Sequence, residues 1–497
     1  MLDFPIIAAR PIVPTCRRIH SANSSRPSSL SPNRNDLSSM KPKQLHLPSS
    51  VCVVLLLTSA GLDGVTATNW PQFRGPHASG VSDGAVPTTW NVASGENLRW
   101  QAPIPGLGHA SPIVWENRIY VATAVRAGAK AELKIGLYGE GASYSEKEPH
   151  QWRLLCVEKT SGKILWDKLE FEAVPRVERH TKATHCNSTP ATDGKRIVAL
   201  FGSEGLFCFD MEGQRLWHQD LGKLRGGPYD APTMQWGFAS SPVLHAGKVV
   251  VQCDTLSEQF LAVFDAENGR ELWRTPRKEV TTWSTPIVAT TAGRTQIVVN
   301  GWKHIGGFDF KTGSALWWLN EGGDVPVASP ILAGDKVILT SGHGKFRPMR
   351  AVRLDATGDV TPPEISATNQ AVVWCHPRKG NYLQTPIVVD DLLWGCSNDG
   401  IVTCFDVQTG KLHYEERLGG GGQGFTASPV AANGKLYFIG EQGDVFVLPT
   451  REKFSVLATN RLAGICLATP AISDGTLFFR TTEKLLAIGA NGKKGDR

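Results

Sequence analysis

Residues 308–317 read FDFKTGSALW, and residues 264–273 read FDAENGRELW. In both stretches an apolar run ends in Phe-Asp, a glycine marks a turn, and a second run closes on tryptophan. A Ser-Pro or Thr-Pro step begins each repeat of this kind. The prolines of these steps are Pro112, Pro190, Pro242, Pro286, Pro330, Pro386, Pro429 and Pro470. The first gap is 78 residues and the other six are 41–56 residues, and self-similarity at such a period indicates a repeat architecture.

Each repeat has the length and the turn chemistry of a small antiparallel sheet. Asp193-Gly194, Asn433-Gly434 and Asp474-Gly475 supply the positive φ angles that two-residue hairpins require. The apolar runs alternate, and they lack the 3.6-residue period of helical repeats. Because one sheet cannot bury both of its faces alone, neighbouring sheets must stack into a closed ring. The sequence therefore predicts an all-β, eight-bladed β-propeller of four-stranded blades.

Ring closure is predicted from the two ends of the repeat array. Trp100 lies 12 residues before Pro112, the spacing of an outer-strand aromatic, although no inner strands precede it. After Pro470 the chain has room for three strands and no fourth. We therefore expect residues 96–102 to complete the last blade, so that the propeller domain covers 96–490 and leaves no open sheet edge.

Six tryptophans occupy the outer-strand position of successive repeats. An aromatic stripe at a structural period is typical of packing between blades rather than of a ligand platform. We expect this structural role for Trp100, Trp166, Trp217, Trp273, Trp317 and Trp374.

The amino terminus carries the features of an export signal. Lys41 and Lys43 precede the apolar run 51–60, and small residues lead to a cleavage position near Ala67. We expect 40–67 to be a signal peptide and the protein to be periplasmic or secreted; a buried strand with a basic prefix is the alternative. Residues 1–39 are a disordered extension or an unused upstream start, 68–95 form a lead segment, and 491–497 form a disordered tail.

Charge and hydropathy exclude two classes of partner. The whole chain of 497 residues carries a formal net charge of +6. Residues 1–67 hold seven Lys/Arg and three Asp, a net of +4, which leaves +2 on the exported part. A nearly neutral body has no long-range attraction for phosphate backbones, so nucleic acid is not an expected partner. The apolar run 51–60 is too short to span a bilayer, and we expect a monomer without a membrane span.

Eight cysteines follow residue 67, and Cys156, Cys208 and Cys404 occupy equivalent places in apolar strands, where cysteine commonly serves as a small core residue. No C-x-x-C pair occurs, so neither a zinc site nor a thioredoxin-like site is predicted, and we assign no metal ligands. Cys396 and Cys404 flank the Asp399-Gly400 turn. They either form a cross-strand disulfide or remain free, and strand geometry seldom suits the bond.

The repeat D-x-x-T-G-x-x-L-W, as in 308–317, resembles the pyrroloquinoline-quinone-type (PQQ-like) propeller repeat. The resemblance covers essentially all of 96–490. WPQFRGP at 70–76 and WGFASSPVL at 236–244 resemble an exported group abundant in planctomycete-type bacteria. Quinoprotein alcohol dehydrogenases and the outer-membrane-protein assembly lipoprotein share this repeat, so the resemblance implies a fold and leaves the activity open.

The dehydrogenase branch of this resemblance implies PQQ held over a Ca²⁺ ion, an aspartate base and, in many members, a disulfide between adjacent cysteines. The sequence contains neither a Cys-Cys dipeptide nor the C-x-x-C-H motif of an attached haem. No cofactor is therefore firmly implied, and we assign no catalytic residues. A PQQ-dependent alcohol or sugar oxidoreductase with Ca²⁺ stays as the alternative function.

Loop length favours a binding or assembly module. The long connections 124–150, 167–188 and 218–240 should lie on one face of consecutive blades, and long loops in a tight repeat are often functional, although tolerated surface drift is the alternative. The segments that lead into the innermost strands should ring the channel mouth on this face. Such a mouth suits an unknown protein, a small molecule or a carbohydrate. The candidate ligand-binding residues are His109, His185, Asn187, Trp236, Trp283 and Gln384.

Overall fold

The computed structural model describes residues 68–128, 130–137, 143–291 and 293–490. In this part of the chain, eight antiparallel sheets follow one another in sequence, and the all-β eight-bladed propeller is confirmed. The predicted extension 1–39, the whole of the predicted signal peptide 40–67 and the tail 491–497 lie outside the described residues. No described helix is long and apolar enough to cross a membrane.

Strands are lettered A to D from the channel outward. Blade 1 comprises Ile113–Trp115, Arg118–Arg126, His150–Glu158 and Ile164–Ala173. Blade 2 comprises Ala191–Thr192, Arg196–Leu200, Leu206–Asp210 and Arg215–Gln219. Blade 3 comprises Val243–His245, Lys248–Asp254, Gln259–Asp265 and Glu271–Pro276. Blade 4 comprises Ile287–Thr291, Arg294–Val299, Ile305–Asp309 and Ala315–Leu319.

The second half of the ring continues in the same order. Blade 5 comprises Ile331–Ala333, Lys336–Thr340, Met349–Arg353 and Val372–His376. Blade 6 comprises Ile387–Val389, Leu392–Cys396, Ile401–Asp406 and Leu412–Arg417. Blade 7 comprises Val430–Ala432, Lys435–Ile439, Asp444–Pro449 and Ala458–Arg461. Blade 8 comprises Ala471–Ser473, Thr476–Arg480, Lys484–Gly489 and, as strand D, Leu98–Pro103.

Short elements decorate the connections. They are the 3₁₀ turns Pro76–Ala78 and Gly202–Glu204 and the two-residue strands Val81–Ser82, Ser143–Tyr144, Arg179–His180 and Gly358–Asp359.

Strand D of blade 8 comes from the amino-terminal side of the propeller. Leu98–Pro103 pairs antiparallel with Lys484–Gly489, and Trp100 stands opposite Ala487. The first and last parts of the domain therefore share one sheet, and this pairing covers the outer edge of the last carboxy-terminal strand.

The Ser/Thr-Pro step of each repeat has a structural reason. Its hydroxyl oxygen accepts a hydrogen bond from the main-chain N–H of the equivalent residue in the preceding blade. Within the described residues, seven such bonds of 2.9–3.3 Å run from Ser111 to Thr469. The members of this hydroxyl ring are Ser111, Thr189, Ser241, Thr285, Ser329, Thr385, Ser428 and Thr469. The ring satisfies main-chain donors at the channel wall and joins neighbouring blades.

The outer-strand tryptophans pack against the next blade. The ring of Trp273 lies against Gly313 in the C–D turn of blade 4, where a Cβ would approach Trp273 Cε3 to 2.5 Å. Trp100, Trp166, Trp217 and Trp374 face the corresponding glycines 162, 213, 269 and 410 in the same way. Trp317 differs: it is fully buried, and its Nε1 donates to Gln296 within its own blade at 2.9 Å.

The lead segment covers the face of the ring that carries the A–B turns. Val81–Ser82 pairs in parallel with the innermost strand of blade 7. Trp70 is fully buried and exchanges main-chain hydrogen bonds with Val114. Arg74 is also fully buried, and its guanidinium donates to the carbonyls of Thr385, Pro386 and Pro429 at 2.9–3.4 Å. The motif at 70–76 thus closes one end of the channel.

The eight cysteines of the described chain are free thiols, and seven of them are buried. Cys396 and Cys404 do not face each other: strand register places Cys396 opposite Val402 and Cys404 opposite Trp394. The predicted alternative of a cross-strand disulfide in blade 6 is therefore wrong, because Cys404 lies two residues further along its strand than the residue opposite Cys396.

Candidate functional site

A cavity of about 890 Å³ lies at the channel end opposite the lead segment. Its floor includes Phe73 of the lead segment and all eight members of the hydroxyl ring. Apart from Phe73, every described lining residue belongs to a B–C or a D–A connection. This is the face on which the long connections lie, and cavities of this size and position are typical of small-molecule sites.

The first two long connections are shorter than the sequence predicted because the flanking strands extend further, and the third has the predicted length but begins two residues later. They span 127–149 within blade 1, 174–190 between blades 1 and 2, and 220–242 between blades 2 and 3. Ser143–Tyr144 of the first pairs antiparallel with Arg179–His180 of the second. The first two connections therefore form one structured cover over the channel mouth rather than separate loops.

Four of the six predicted site residues line the cavity: His109, Asn187, Trp236 and Trp283. The rings of Trp236 and Trp283 lie 5.8 Å apart at an angle of 31°. Trp283 Nε1 donates to the carbonyl of Gly237 at 2.8 Å, which fixes the orientation of that ring. The two indoles come from different D–A connections, so only the closed ring brings them together.

The side chains of His109 and Asn187 also form hydrogen bonds with main-chain carbonyls of the connections around the cavity. His109 Nε2 lies 2.9 Å from the carbonyl of Lys182, and burial lowers the pKa of this imidazole to about 4. The neutral ring therefore donates from Nε2 to that carbonyl. The Asn187 amide donates to the carbonyls of Thr184 and Phe238 at 2.9 and 3.0 Å, which joins two D–A connections.

The structure places the other two predicted residues outside the cavity lining. Gln384 is buried, and its amide donates to the carbonyl of Phe425 at 2.6 Å. His185 points away from the channel, with its Nε2 2.9 Å from Glu146. Both residues lie in D–A connections as predicted, but side-chain direction within an irregular segment does not follow strand alternation.

One buried carboxylate anchors the cover across the channel. Glu441 of blade 7 accepts hydrogen bonds from the Lys182 ammonium at 2.8 Å and from the Gly136 main-chain N–H at 2.7 Å. Thr426 donates to the same carboxylate at 2.6 Å. Residues 136 and 182 belong to the two connections that form the cover, so Glu441 ties that cover to blade 7.

Residues of blades 4 and 5 form the wall that the sequence reasoning missed. Nδ1 of His343 lies 3.0 Å from Asp324 Oδ2, and the His343 ring packs on Tyr382 at 5.2 Å. Arg347 lines the same wall and is exposed. The run GHGK at 342–345 was a usable signal, since it lengthens a connection that is otherwise a tight turn.

The cavity thus combines three kinds of surface. The indoles of Trp236 and Trp283 offer ring faces, the hydroxyl ring offers hydrogen-bond donors, and the wall offers both signs of charge. Each of seven ring hydroxyls accepts one main-chain bond and keeps its own hydrogen for a ligand oxygen. This pattern suits a polar ligand that has one apolar face.

Comparison with known proteins identifies the family and the fold of the chain. The family model for the outer membrane protein assembly factor BamB matches residues 75–227, 150–416 and 257–493. No curated protein matches the chain in sequence. A europium-containing methanol dehydrogenase is 12% identical over 85% of this chain and 89% of its own, with a TM-score of 0.58.

Two further solved structures are similar. The quinohemoprotein alcohol dehydrogenase ADHIIG of Pseudomonas putida is 13% identical over 86% of this chain and 81% of its own, with a TM-score of 0.55. BamB from Moraxella catarrhalis is 14% identical over 73% of this chain and 98% of its own, with a TM-score of 0.48. At such identities the likeness shows the fold alone.

PQQ held over Ca²⁺ does not fit the cavity. A Ca²⁺ site gathers six to eight oxygen ligands, several of them carboxylates. The only carboxylates among the described lining residues are Asp230 and Asp324, and Asp324 is engaged by His343. Nowhere in the described lining do three ionisable side chains converge at ligand distance. We therefore derive no chemistry through this cofactor.

The propeller fold, the sequence repeat and the family match cover the same part of the chain, which is nearly all of the described residues. The cavity, however, lacks the carboxylates that a Ca²⁺ ion beneath PQQ would need. The protein belongs to the PQQ-like β-propeller family described by the BamB model.

Proposed function

We propose that the protein is an exported binding module that takes a carbohydrate or a similar polyhydroxylated small molecule into the channel cavity on its long-loop face. The observation that carries this proposal is the pairing of two indole faces with a ring of hydroxyl donors in one cavity of about 890 Å³. Sugars present an apolar face to an aromatic ring and hydroxyls to polar groups, and amphipathic indoles suit both needs.

Size supports a compact ligand. The cavity volume falls within the range of ordinary small-molecule sites. The cover, which Glu441 ties to blade 7, contributes Gly136, Leu137, His180 and Lys182 to the cavity lining, so a ligand in the cavity contacts it. A partner protein would reach this surface only through an inserted loop or a chain terminus.

The direct test is a calorimetric titration of the mature protein with a panel of mono- and oligosaccharides. Trp236→Ala should weaken binding about tenfold or more, equivalent to about 1.4 kcal/mol. Trp318→Ala is the matched control, since Trp318 lies on the outer strand of blade 4 and is 39% exposed. Equal affinities of wild type and the Trp236→Ala variant, or no binding of any sugar, would contradict the proposal.

The same preparation tests the oxidoreductase alternative. PQQ and Ca²⁺ are added to the purified protein, and dye-linked oxidation of alcohols and sugars is followed. Because the cavity lacks the carboxylates for Ca²⁺, we expect no PQQ-dependent turnover. Turnover that requires both additions would replace the binding proposal with a quinoprotein function.

Export is part of this proposal and rests on the sequence of 40–67. Amino-terminal sequencing of the protein from the periplasm or medium of its host should begin at or close to Thr68. A mature protein that keeps residue 40 would contradict cleavage.

A further inference from the structure

Three side chains with metal-binding atoms meet beneath the cover, outside the cavity. Glu146 lies on the connection 127–149, His150 begins strand C of blade 1, and His185 lies on the connection 174–190. One ligand atom from each lies within 4.8 Å of the other two. The exposed fractions of the three side chains are 0%, 2% and 6%. The cluster is thus buried, and the proposed ligand site does not use it.

The distances suit a four-coordinate ion. Glu146 Oε2 lies 2.9 Å from His185 Nε2 and 3.7 Å from His150 Nε2. In a tetrahedral zinc site with bonds of about 2.0–2.1 Å, neighbouring ligand atoms are about 3.3 Å apart. Small shifts of the three side chains therefore place all three atoms at bonding distance from one ion.

The hydrogen bonds of His150 orient a lone pair toward the same point. Its Nδ1 lies 3.0 Å from the carbonyl of Glu148, which accepts only, so Nδ1 carries the proton. The His150 tautomer with its proton on Nδ1 has a lone pair on Nε2. Nε2 of His150 has no hydrogen-bond partner in the described chain, and Nε2 of His185 lies 2.9 Å from the Glu146 carboxylate. A histidine that binds a metal through one ring nitrogen usually donates a hydrogen bond from the other, often to a main-chain carbonyl, and His150 already makes this bond.

Two guanidinium groups also face Glu146. Arg179 donates to both carboxylate oxygens at 2.8 and 3.2 Å, and Arg126 lies 3.8 Å from Oε1 while it pairs with Glu148 at 2.9 Å. Arg179 compensates the buried carboxylate when no ion is present, and it can keep Oε1 when an ion takes Oε2. These charges disfavour hard ions such as Mg²⁺ or Ca²⁺, which depend on anionic oxygen, more than ions that prefer imidazole.

We propose that Glu146, His150 and His185 bind one divalent ion of the zinc type, which joins the two connections of the cover to strand C of blade 1. Water or hydroxide completes the coordination. The role of the ion is structural: it fixes 127–149 against 174–190. This proposal is independent of the ligand in the cavity.

The test uses the mature protein after dialysis against a chelator. Co²⁺ is titrated and followed by the visible bands of tetrahedral cobalt, and Zn²⁺ is then added to displace it. Wild type should bind one equivalent and gain in melting temperature with Zn²⁺. His150→Asn and Glu146→Gln should each lose this binding at least tenfold, whereas His245→Gln, an exposed histidine of blade 3, should bind like wild type.

His150→Asn is the decisive variant, because the asparagine amide can still donate to the Glu148 carbonyl while the Nε2 ligand is lost. Circular dichroism of the metal-free variants establishes that each is folded. If metal-free wild type binds neither Co²⁺ nor Zn²⁺, or if a folded His150→Asn binds them as tightly as wild type, the proposal is wrong. Sugar binding measured on the same samples reports on the cavity separately.

Discussion

At the scale of single residues, two buried ionisable groups, Arg74 and Glu204, are held by main-chain hydrogen bonds on opposite faces of the propeller. Arg74 directs its guanidinium donors to main-chain carbonyls, among them those of Ala78, Ser79 and Pro429. Burial lowers its pKa to about 9. Glu204, near the opposite face, accepts a main-chain bond from Arg176 at 3.0 Å and is 5% exposed. Both groups depend on main-chain hydrogen bonds. Substituting Arg74 should therefore change the free energy of unfolding, and substituting Glu204 should change how that free energy depends on pH.

Arg74→Lys should destabilise the protein although it keeps the charge. Lysine lacks the planar fork that reaches several carbonyls at once, so buried acceptors lose their donor. We expect a loss of about 2–4 kcal/mol in the free energy of unfolding, measured by urea denaturation. Arg451→Lys, at an exposed arginine of blade 7, is the control. Equal stability of wild type and Arg74→Lys would show that the fork is dispensable.

Glu204→Gln should change how stability depends on pH. Burial raises the pKa of the Glu204 carboxyl to about 7, above its ordinary value of 4.5. A raised folded-state pKa means that its stabilising contribution is complete below pH 4.5 and is lost as the pH rises through 7. Relative to the variant, wild type should lose on the order of 3 kcal/mol between pH 4.5 and 8. Parallel melting temperatures of the two proteins across this range would contradict the shift.

At the scale of elements, the recurring residues of the repeat form contacts between neighbouring blades. The tryptophan of strand D needs a glycine in the C–D turn of the next blade, and the Ser/Thr-Pro hydroxyl needs the equivalent residue of a neighbouring blade. Apart from Trp317, each outer-strand tryptophan therefore contacts a neighbouring blade, as does each ring hydroxyl that accepts a main-chain bond. The long connections of blades 1 and 2 depart from the repeat, and they are the segments that shape the cavity.

Gly313→Ala should cost more than the backbone strain of a positive φ alone. Gly313 has φ +73° and a Cβ there would meet the Trp273 ring, whereas Gly334 has φ +62° with nothing within 4 Å. We expect Gly313→Ala to lose about 1–3 kcal/mol more than the control Gly334→Ala. Adding Trp273→Ala should remove part of that excess in a double-mutant cycle. Equal losses in Gly313→Ala and Gly334→Ala would exclude the ring contact as the cause.

At the scale of the whole molecule, the lead segment and the closing strand make the ring one body. Residues 68–95 cover the A–B turn face and bury Trp70, and Leu98–Pro103 forms the outer strand of blade 8. The opposite face is left for the cavity. The two faces of the propeller thus differ because one is covered by the chain itself.

A truncation that begins at residue 104 should remove both the lead segment 68–95 and the outer strand of blade 8. The outer edge of Lys484–Gly489 becomes exposed, and an exposed apolar edge strand promotes association. Light scattering and thermal melting compare this truncation with the chain that begins at residue 68. A truncated protein that stays soluble with an unchanged melting temperature would contradict the role assigned to these segments.

The local pattern was sufficient to predict the strands, the blade number and the face that holds the cavity. The Ser/Thr-Pro step recurs eight times and the outer-strand tryptophan six times, so a misread copy of the repeat is corrected by its neighbours. Trp236 and Trp283 were also predicted, because their segments lead directly into the innermost strands.

The composition of the site was decided only by tertiary structure. His343 and Asp324 meet from different blades, and Glu146, His150 and His185 meet through two connections that pair with each other. In irregular segments side-chain direction has no period, so Gln384 and His185 turned away from the channel although their positions were predicted correctly. The sequence by itself determined the repeating frame, whose contacts are local or at a fixed period. The folded ring decided which side chains of its irregular connections meet.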